Sequence, residues 1–303
     1  MLYTALALIA FAANSVLCRL ALSRGAIDPT SFSAVRLIAG AVTLAVLVRV
    51  RAPSRAPAVP SWASATLLFL YAVPFSFAYA SLSTGTGALL LFGAVQATMI
   101  LASLGRSERP RVAQWLGLAG AFSGLTYLVL PGVTAPSLRG AALMLVAGVA
   151  WGLYTLRGRS VSAPLAQTAS NFARTVPMIL AVSLTNYRGL HLQLSGVLLA
   201  FLSGALASGL GYVLWYQALA GLSKITASVV QLAVPILAAA GGIVFLGEQV
   251  TLRLLVAGLL VLGGISLVLL AHPGGAGYVL RDLPGPEVMP GHQPPPTNRN
   301  LPQ

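Results

Sequence analysis

Ten apolar runs follow one another along almost the whole chain, and each is long enough to cross a membrane. A helix needs about 20 residues to span the hydrocarbon core of a bilayer. Clusters of Pro, Gly and Arg separate the runs. They predict transmembrane helices at residues 2–22, 30–49, 62–82, 86–104, 112–130, 138–156, 168–186, 195–219, 224–246 and 252–271. This pattern predicts an all-α polytopic membrane protein.

Composition excludes an ordinary soluble domain. Only 8% of the 303 residues are charged and 57% are hydrophobic, whereas a typical soluble domain is roughly 25% charged. The formal net charge of +13 would suggest nucleic acid as the partner of a soluble protein. Here most cations fall in short loops between apolar runs, where they orient the helices, so we expect the lipid bilayer as partner and no nucleic acid. The single cysteine, Cys18, excludes a disulfide framework or a thiol metal site.

The loop cations predict which way the chain enters the membrane. Nine of them lie on the side of the N-terminus: Arg49, Arg51, Arg55, Arg106, Arg109, Arg111, Arg157, Arg159 and Lys224. Four lie on the other side: Arg24, Arg139, Arg188 and Arg253. This bias predicts that both termini are cytoplasmic. No basic segment precedes the first run, so we expect a retained helix and not a signal peptide. The Pro/Gly-rich residues 272–303 predict a disordered cytoplasmic tail.

The two halves of the chain repeat one another. Three pairs of charged residues recur at nearly one spacing: Arg19 and Arg159, 140 residues apart; Glu108 and Glu248, 140 apart; Arg36 and Arg174, 138 apart. Five spans per half is an odd number, so the second half must enter the membrane from the opposite side. The sequence therefore predicts two inverted five-helix repeats, residues 1–131 and 132–271, around a central cavity that opens to either side in turn.

Three segments resemble a known family. GAIDPTSFSAVRLIAGA, at 25–41, is similar to the second helix of the EamA-type drug/metabolite transporter superfamily. LAVPILAAAGGIVFLGEQVTLRLLVAG, at 232–258, is similar to its ninth helix, Gly-Glu turn and tenth helix, and FAANSVLCRLALSRG, at 11–25, to its first, with Phe11 where a tryptophan is common. The corresponding turn of the first half departs from the family pattern, since residues 105–110 read GRSERP where a Gly-Glu pair is usual. The likeness covers residues 2–271.

The resemblance implies an export function. Ten helices and the aromatic content are similar to the YddG-type exporters, which move aromatic and other amino acids out of bacteria. It therefore implies a small-molecule substrate, the bacterial inner membrane, no cofactor, and no enzyme activity; no obligate protein partner is evident. Sugar-phosphate and nucleotide-sugar carriers share the architecture. The alternatives are export of drug-like cations, transport of sugar nucleotides or sugar phosphates, and, remotely, a membrane sensor or receptor.

Arg36 lies about two turns into its helix, after an Asp28-Pro29 pair suited to the N-cap and first helical positions. We expect its guanidinium near the outer interface, and Arg174 to mirror it on the cytoplasmic side. There the pair either donates to helix-end carbonyls, as a clamp, or meets a substrate carboxylate at each mouth of the pathway, as a gate.

Aromatic side chains predict a pocket. Three groups share helical faces in spans three, six and eight: Tyr71, Phe75 and Tyr79; Trp151 and Tyr154; Tyr212, Trp215 and Tyr216. Such faces accept an apolar side chain and leave tyrosine hydroxyls for polar atoms. The alternative is an interfacial belt or ordinary lipid contact, which we expect most for Tyr71 and Trp62, near span ends.

Uncharged polar residues and prolines fall at similar depths. Asn14, Gln96 and Gln231 are further cavity candidates, while Asn171 and Gln217 lie in or near the same zone; helix-to-helix hydrogen bonding is the alternative for all five. Pro74, Pro177 and Pro235 interrupt spans three, seven and nine, either as hinges or as static bends.

Ionisable residues are missing from the predicted spans. All five acids and all three histidines fall in loops, helix ends or the tail. Since proton-coupled carriers keep such groups in the membrane, we expect facilitative transport. A membrane enzyme would need His, Asp or Glu clustered at one site, and the sequence offers no catalytic or metal cluster.

Overall fold

The computed structural model describes residues 2–51, 61–104, 111–158, 163–219, 221–222 and 224–271. The helices, in chain order, are α1 (Leu2–Ser23), α2 (Pro29–Arg51), α3 (Trp62–Tyr79), α4 (Thr84–Leu104), α5 (Val112–Val129), α6 (Leu138–Gly158), α7 (Pro164–Thr185), α8 (Leu194–Leu202), α9 (Gly211–Leu219), α10 (Lys224–Gln231), α11 (Ala233–Leu246) and α12 (Leu252–Leu270). A π-helical segment, Ser203–Leu210, joins α8 to α9. Within these residues, β pairing is limited to an isolated bridge between Ile27 and Leu192.

The predicted spans appear as helices. In the described part of the chain, nine helical stretches are both long and apolar enough to cross a membrane. The remaining predicted span, the seventh, is α7. It has 22 residues but carries more polar side chains, among them Gln167, Asn171 and Arg174. It begins at Pro164 and not at the predicted 168, since proline suits a first helical turn. The protein is thus an all-α, multi-pass membrane protein, as predicted. Glu108, Arg159 and the predicted tail lie outside the described residues.

Asp28 fixes the start of α2. Its Oδ1 accepts hydrogen bonds from the amides of Thr30 (2.9 Å) and Ser31 (3.0 Å), as an N-cap does. Its Oδ2 accepts the amide of His191 at 2.8 Å. Burial raises the pKa of Asp28, but these amide donors outweigh it and hold the pKa below its ordinary value of 3.8. The predicted cap is confirmed, and it also ties the loop before α8 to α2.

The helices pack in recurring pairs. α2 packs against α7, and α5 against α12; α6 contacts both α3 and α4. On the other side of the bundle, α1 contacts the α8–α9 region and α11. A Cβ at Gly264 would collide with the carbonyl oxygen of Gly117, so the α5–α12 contact requires glycine there. Gly263 has nothing within 4 Å of an added Cβ. Only one of these neighbouring glycines therefore serves close packing.

Two spans are interrupted. The ninth breaks at Leu232, between α10 and α11, and Pro235 lies in the first turn of α11, where its missing N–H costs nothing. Pro74 and Pro177 lie inside helices α3 and α7, which continue through them. The eighth span contains the π segment, which no proline marks. Such segments are rare and occur frequently at functional sites.

Candidate functional site

A small cavity lies where α1, α3, α4 and α6 meet. Its volume is about 20 Å³, room for roughly one water molecule. The lining is mostly apolar and aromatic, with two polar residues from α1. The lining residues are Phe11, Asn14, Ser15, Tyr71, Phe75, Leu91, Phe92, Val95 and Trp151.

Aromatic side chains predicted in spans three, six and eight meet in one cluster, of which Tyr71, Phe75 and Trp151 line the cavity. Trp151 of α6 lies 4.3 Å from Tyr71 and 5.4 Å from Tyr212, measured between ring centroids. Phe11 of α1 contacts Trp215 of α9 edge-on at 5.8 Å. Offset and edge-on geometries at these distances are favourable ring contacts. The structure therefore joins four helices through one aromatic cluster.

The outer members of the predicted aromatic set differ. Tyr71 is only 6% exposed, so it is not part of an interfacial belt, whereas Trp62 is 60% exposed. Tyr79 contacts Phe75 edge-on at 4.7 Å, and its hydroxyl donates to the carbonyl of Thr84 at 3.4 Å. Tyr79 is not among the residues that line the cavity. The side chain of Tyr216 lies outside the part of the chain that the structure describes.

Polar side chains of three helices and the π segment form a network beside the cavity. Asn14 donates from Nδ2 to Tyr71 Oη at 3.2 Å, and its Oδ1 accepts from Ser203 Oγ at 2.6 Å. Arg36 donates from Nη2 to the same Tyr71 oxygen at 2.9 Å and from Nε to Ser208 Oγ at 3.4 Å. The network joins α1, α2, α3 and the π segment.

Arg36 is the centre of that network, and it is 2% exposed. Its Cζ lies 4.8 Å from the Phe75 ring centroid and 5.2 Å from that of Tyr71, within cation–π range. Among the described residues, Arg36 donates to side chains and not to the helix-end carbonyls expected of a clamp. These hydrogen-bond partners, Tyr71 and Ser208, lie within α3 and within the eighth span. Two aromatic faces and two hydroxyls draw the guanidinium inward, between α3 and the π segment.

Arg174 does not mirror Arg36. It is half-buried, and its Nη1 donates to the carbonyl of Ser170 on its own helix at 3.0 Å. Its Cζ lies 5.8 Å from the ring centroid of Trp62 at the start of α3. The two arginines, which the predicted sequence repeat pairs, have different surroundings.

A helix-end clamp is present, but at Arg19. Its Nη1 donates to the carbonyls of Tyr79 (2.9 Å) and Ala80 (3.2 Å) at the end of α3, and its Nε lies 3.3 Å from Glu248 Oε1. Glu248 also accepts the amide of Thr84, the first residue of α4, at 2.8 Å, where a carboxylate is favourable. Gly247 has a φ of 66°, which turns the chain after α11 and presents Glu248 to this junction. The clamp joins α1, α3, α4 and α11.

The remaining polar candidates make helix-to-helix contacts. Gln96 donates from Nε2 to Ser228 O (3.3 Å) and Gln231 Oε1 (3.4 Å), which links α4 to α10. Asn171 donates to Tyr154 Oη at 3.2 Å and so links α7 to α6. Asn14 lines the cavity. The candidates that do not line it are Gln96, Gln231, Asn171 and Tyr154. Gln217 is exposed.

Comparisons with known proteins agree with this architecture. The EamA-like transporter family matches residues 138–270. "Uncharacterized protein PA1977" of Pseudomonas aeruginosa is 52% identical over 276 residues, covering 91% of this chain and 96% of that protein. An "Uncharacterized transporter" of Archaeoglobus fulgidus is 30% identical over 193 residues, covering 62% of this chain and 68% of that protein. The chain belongs to the EamA-like transporter family.

A solved structure shares the fold of this EamA-like transporter. That crystal structure aligns with a TM-score of 0.60 at 17% identity, over 88% of this chain and 98% of its own. At this identity the likeness concerns the fold alone. The family match runs from the start of α6 to the end of α12. The resemblance to the drug/metabolite transporter superfamily, inferred from three sequence segments, is confirmed.

Sequence reasoning missed several residues of the site in this EamA-like transporter. Phe11 and Ser15 share a helix face with Asn14, at i−3 and i+1, and the period of α1 contained that signal. Ser203 and Ser208 lie five residues apart, a spacing that shares a face only in a π-helix. Their part in the network had no signal in an α-helical reading. In the described residues, no group of three or more His, Cys, Asp or Glu is arranged to hold a metal ion.

Proposed function

We propose that this EamA-like transporter exports amino acids, aromatic ones among them, through the aromatic cavity between α1, α3, α4 and α6. The aromatic cluster around Trp151 carries this proposal. Clustered aromatic rings accept an apolar or aromatic side chain. Asn14 and Tyr71 supply polar atoms at the same wall for the amino-acid head group. A membrane protein of this family with such a cavity is suited to small amphiphilic metabolites.

The size of the cavity supports transport by alternating access. About 20 Å³ holds a water molecule and not an amino acid. Substrate therefore enters only after helices around the cavity separate. We take Pro74, Pro177 and Pro235 as sites where α3, α7 and the ninth span bend during that change.

Helix packing supports two inverted repeats, residues 1–131 and 132–271. In an inverted repeat, each span of the first half corresponds to the span five places later, so span three corresponds to span eight and span one to span six. The α3–α6 contact then corresponds to the contact between the α8–α9 region and α1. The α4–α6 contact becomes the contact between α11 and α1, and the α2–α7 and α5–α12 contacts are unchanged. All of these contacts are present. Two halves related in this way can exchange conformations and open one site to each side in turn.

Charge placement supports a facilitative mechanism and the orientation. Asp28 and Glu248 lie just outside helix ends, and His191 lies in a loop. Among the described residues, the interior of the spans contains no acid or histidine to carry a proton. The loop cations support an orientation with both termini in the cytoplasm, and we infer that the membrane is the bacterial inner membrane. The buried charge of Arg36 beside the cavity disfavours cationic drugs as substrates.

The test is uptake of radiolabelled amino acids into proteoliposomes, with and without an imposed pH gradient. We expect saturable flux that is indifferent to the gradient. Accumulation that requires the gradient would contradict the facilitative mechanism, and absence of flux for every amino acid would contradict the substrate.

A matched pair of tryptophan variants tests the cavity. Trp151→Ala removes a cavity ring, and we expect KM to rise about threefold to tenfold, since an aromatic contact contributes about 0.5–1.5 kcal/mol. Trp115 on α5 is 54% exposed and lies outside the cavity lining, so Trp115→Ala should leave flux unchanged. Equal effects of the two substitutions would refute the aromatic-cavity site.

A further inference from the structure

Arg36 is a buried charge without a counterion in the described residues. The salt bridge found there joins Arg19 to Glu248. Arg36 contacts two hydroxyls and two aromatic rings, all uncharged. A buried charge is costly unless it is paired and hydrogen-bonded. The fold therefore keeps an uncompensated positive charge in the interior of the bundle.

Hydrogen-bond donors remain unused at the same place. The Nη1 of Arg36 is buried and has no hydrogen-bond partner among the described residues. Tyr71 Oη accepts from Arg36 at 2.9 Å and from Asn14 at 3.2 Å. A hydroxyl that accepts twice still has its own O–H to donate. Two hydrogen-bond donors, Arg36 Nη1 and the Tyr71 O–H, are therefore available beside a positive charge to a ligand that supplies an acceptor.

These donors adjoin the cavity. The two rings that flank the guanidinium, Tyr71 and Phe75, both line it. The charge therefore lies against two residues of the cavity wall, and its hydrogen-bond partner Tyr71 is one of them. An anion that enters when the cavity opens meets an electrostatically favourable site on this side, and aromatic surfaces on the others.

We propose that Arg36 and Tyr71 form an anion site that takes the carboxylate of the substrate. This rests on the proposed function for the transported molecule and names its required chemistry: a carboxylate attached to an apolar or aromatic group. Arg36 Nη1 and Tyr71 Oη supply two donors for the two carboxylate oxygens. Charge-assisted hydrogen bonds of this kind are about twice as strong as neutral ones. Amides lose that gain, and amines without a carboxylate are repelled by Arg36.

The rival role for Arg36 is purely structural, as a crosslink of α2, α3 and the π segment. A crosslink affects stability and has no effect on which head group is bound. The two roles are therefore separated by ligands that share one ring and differ in charge.

The experiment measures ligand-induced thermal stabilisation of the full-length protein in nanodiscs. The probes are 3-phenylpropionate, 3-phenylpropionamide and 3-phenylpropylamine. We expect half-maximal stabilisation by the carboxylate at about a tenfold lower concentration than by the amide, and no stabilisation by the amine. Equal potency of the carboxylate and the amide, stabilisation by the amine, or no response to any probe would each overturn the anion site.

Variants assign the preference to these residues. Arg36→Met should abolish the tenfold difference between carboxylate and amide, and Tyr71→Phe should reduce it while the ring stays in place. Arg174→Met removes the half-buried arginine of α7 and should leave the difference intact. If Arg36→Met does not fold, Tyr71→Phe decides the matter, because it removes one oxygen only. A tenfold preference that survives Tyr71→Phe undiminished removes Tyr71 from the site and overturns the proposal.

The outcomes for this site and for the proposed function are independent. Carboxylate-selective stabilisation without amino-acid flux would retire amino acids as substrates and keep the anion site, for other organic acids. Amino-acid flux with no preference for the carboxylate probe would keep amino acids as substrates and rule out the anion site.

Discussion

Arg36 of α2 and Arg174 of α7, which the predicted repeat pairs at a spacing of 138 residues, occupy different environments. Arg36 is 2% exposed and contacts Tyr71, Phe75 and Ser208. Arg174 is half-buried, bonds to its own helix and lies beside Trp62. A residue's position along its own helix therefore does not determine its contacts. Its neighbours are set by the other helices.

Of the two arginines, only Arg36 has a guanidinium that is buried between helices. α2 faces aromatic rings of α3 and the small residues of the π segment, which admit a guanidinium to the interior. Arg174, by contrast, has a backbone carbonyl of its own helix as an acceptor. The arginine that is buried without a counterion among the described residues is also the one that contacts two residues of the cavity lining, Tyr71 and Phe75. Four stability measurements examine this contrast, taken from the largest expected effect to the smallest.

Packing around Arg36 gives the largest expected effect. A Cβ at Gly204 would collide with the carbonyl oxygen of Arg36, and backbone cannot easily yield. We expect Gly204→Val to lower the free energy of unfolding by about 3 kcal/mol, measured by thermal or denaturant unfolding in detergent. The matched control is Gly258→Val, since Gly258 has nothing within 4 Å of an added Cβ. Equal stability of the two variants would show that α2 and the π segment are not in close contact.

Arg19, which has a counterion, provides the next comparison. Arg19→Met leaves Glu248 without its cation and removes the donor to the carbonyls of Tyr79 and Ala80. Loss of such bonds should cost about 2 kcal/mol. Glu248→Gln keeps an acceptor for the Thr84 amide and should cost less than Arg19→Met. The prediction fails if Arg19→Met is as stable as the wild type.

The starts of α2 and α7 also differ. Asp28 caps α2, whereas Ala163, at the start of α7, has no capping side chain. Asp28→Ala should cost about 1 kcal/mol at pH 7, while Asp28→Asn should keep most of the cap.

This cap has a predictable pH dependence. Because the pKa of Asp28 is lowered by amide donors, its contribution is present above the ordinary value of 3.8 and is lost as pH falls below it. The stability difference between wild type and Asp28→Ala should therefore shrink below about pH 3.8. A difference that is constant from pH 7 to pH 3 would rule out the carboxylate as the source.

The smallest effect on stability is expected at Arg36 itself. Methionine fills a similar volume without the uncompensated charge, and such exchanges are often neutral or stabilising. We expect Arg36→Met to change the free energy of unfolding by less than about 1 kcal/mol in either direction. Arg174→Met is the reference and should also be nearly neutral. A loss of several kcal/mol in Arg36→Met alone would mean that Arg36 holds the bundle together.

Much of the fold could be predicted from the sequence because it depends on local patterns. Apolar length found the spans, and the Asp28-Pro29 pair found the start of α2. Helical period also grouped Tyr71 with Phe75, and Trp151 with Tyr154. These features depend on residues within a few turns of one another, so a single sequence contains them.

The rest of the site could not be predicted because it depends on contacts between distant helices. The direction of the Arg36 side chain is set by Tyr71 and Ser208, and Ser208 is 172 residues away. Gln96 and Gln231 pair with each other, which their depth in the bundle alone could not reveal. The π segment has no marker in the sequence. The contribution of its residues Ser203 and Ser208 to the polar network could therefore not be predicted.

That segment also sets the rotational phase of the eighth span. Bonding from i to i+5 places an extra residue in the turn, so residues after Leu210 are out of phase with an uninterrupted α-helix. One residue corresponds to about 100° of rotation and about 1.5 Å of rise. Deletion of a single residue here would barely shorten the span, yet it would turn Tyr212 and Trp215 away from Phe11. The number of residues in this segment, and not only their small size, therefore determines whether the aromatic cluster closes.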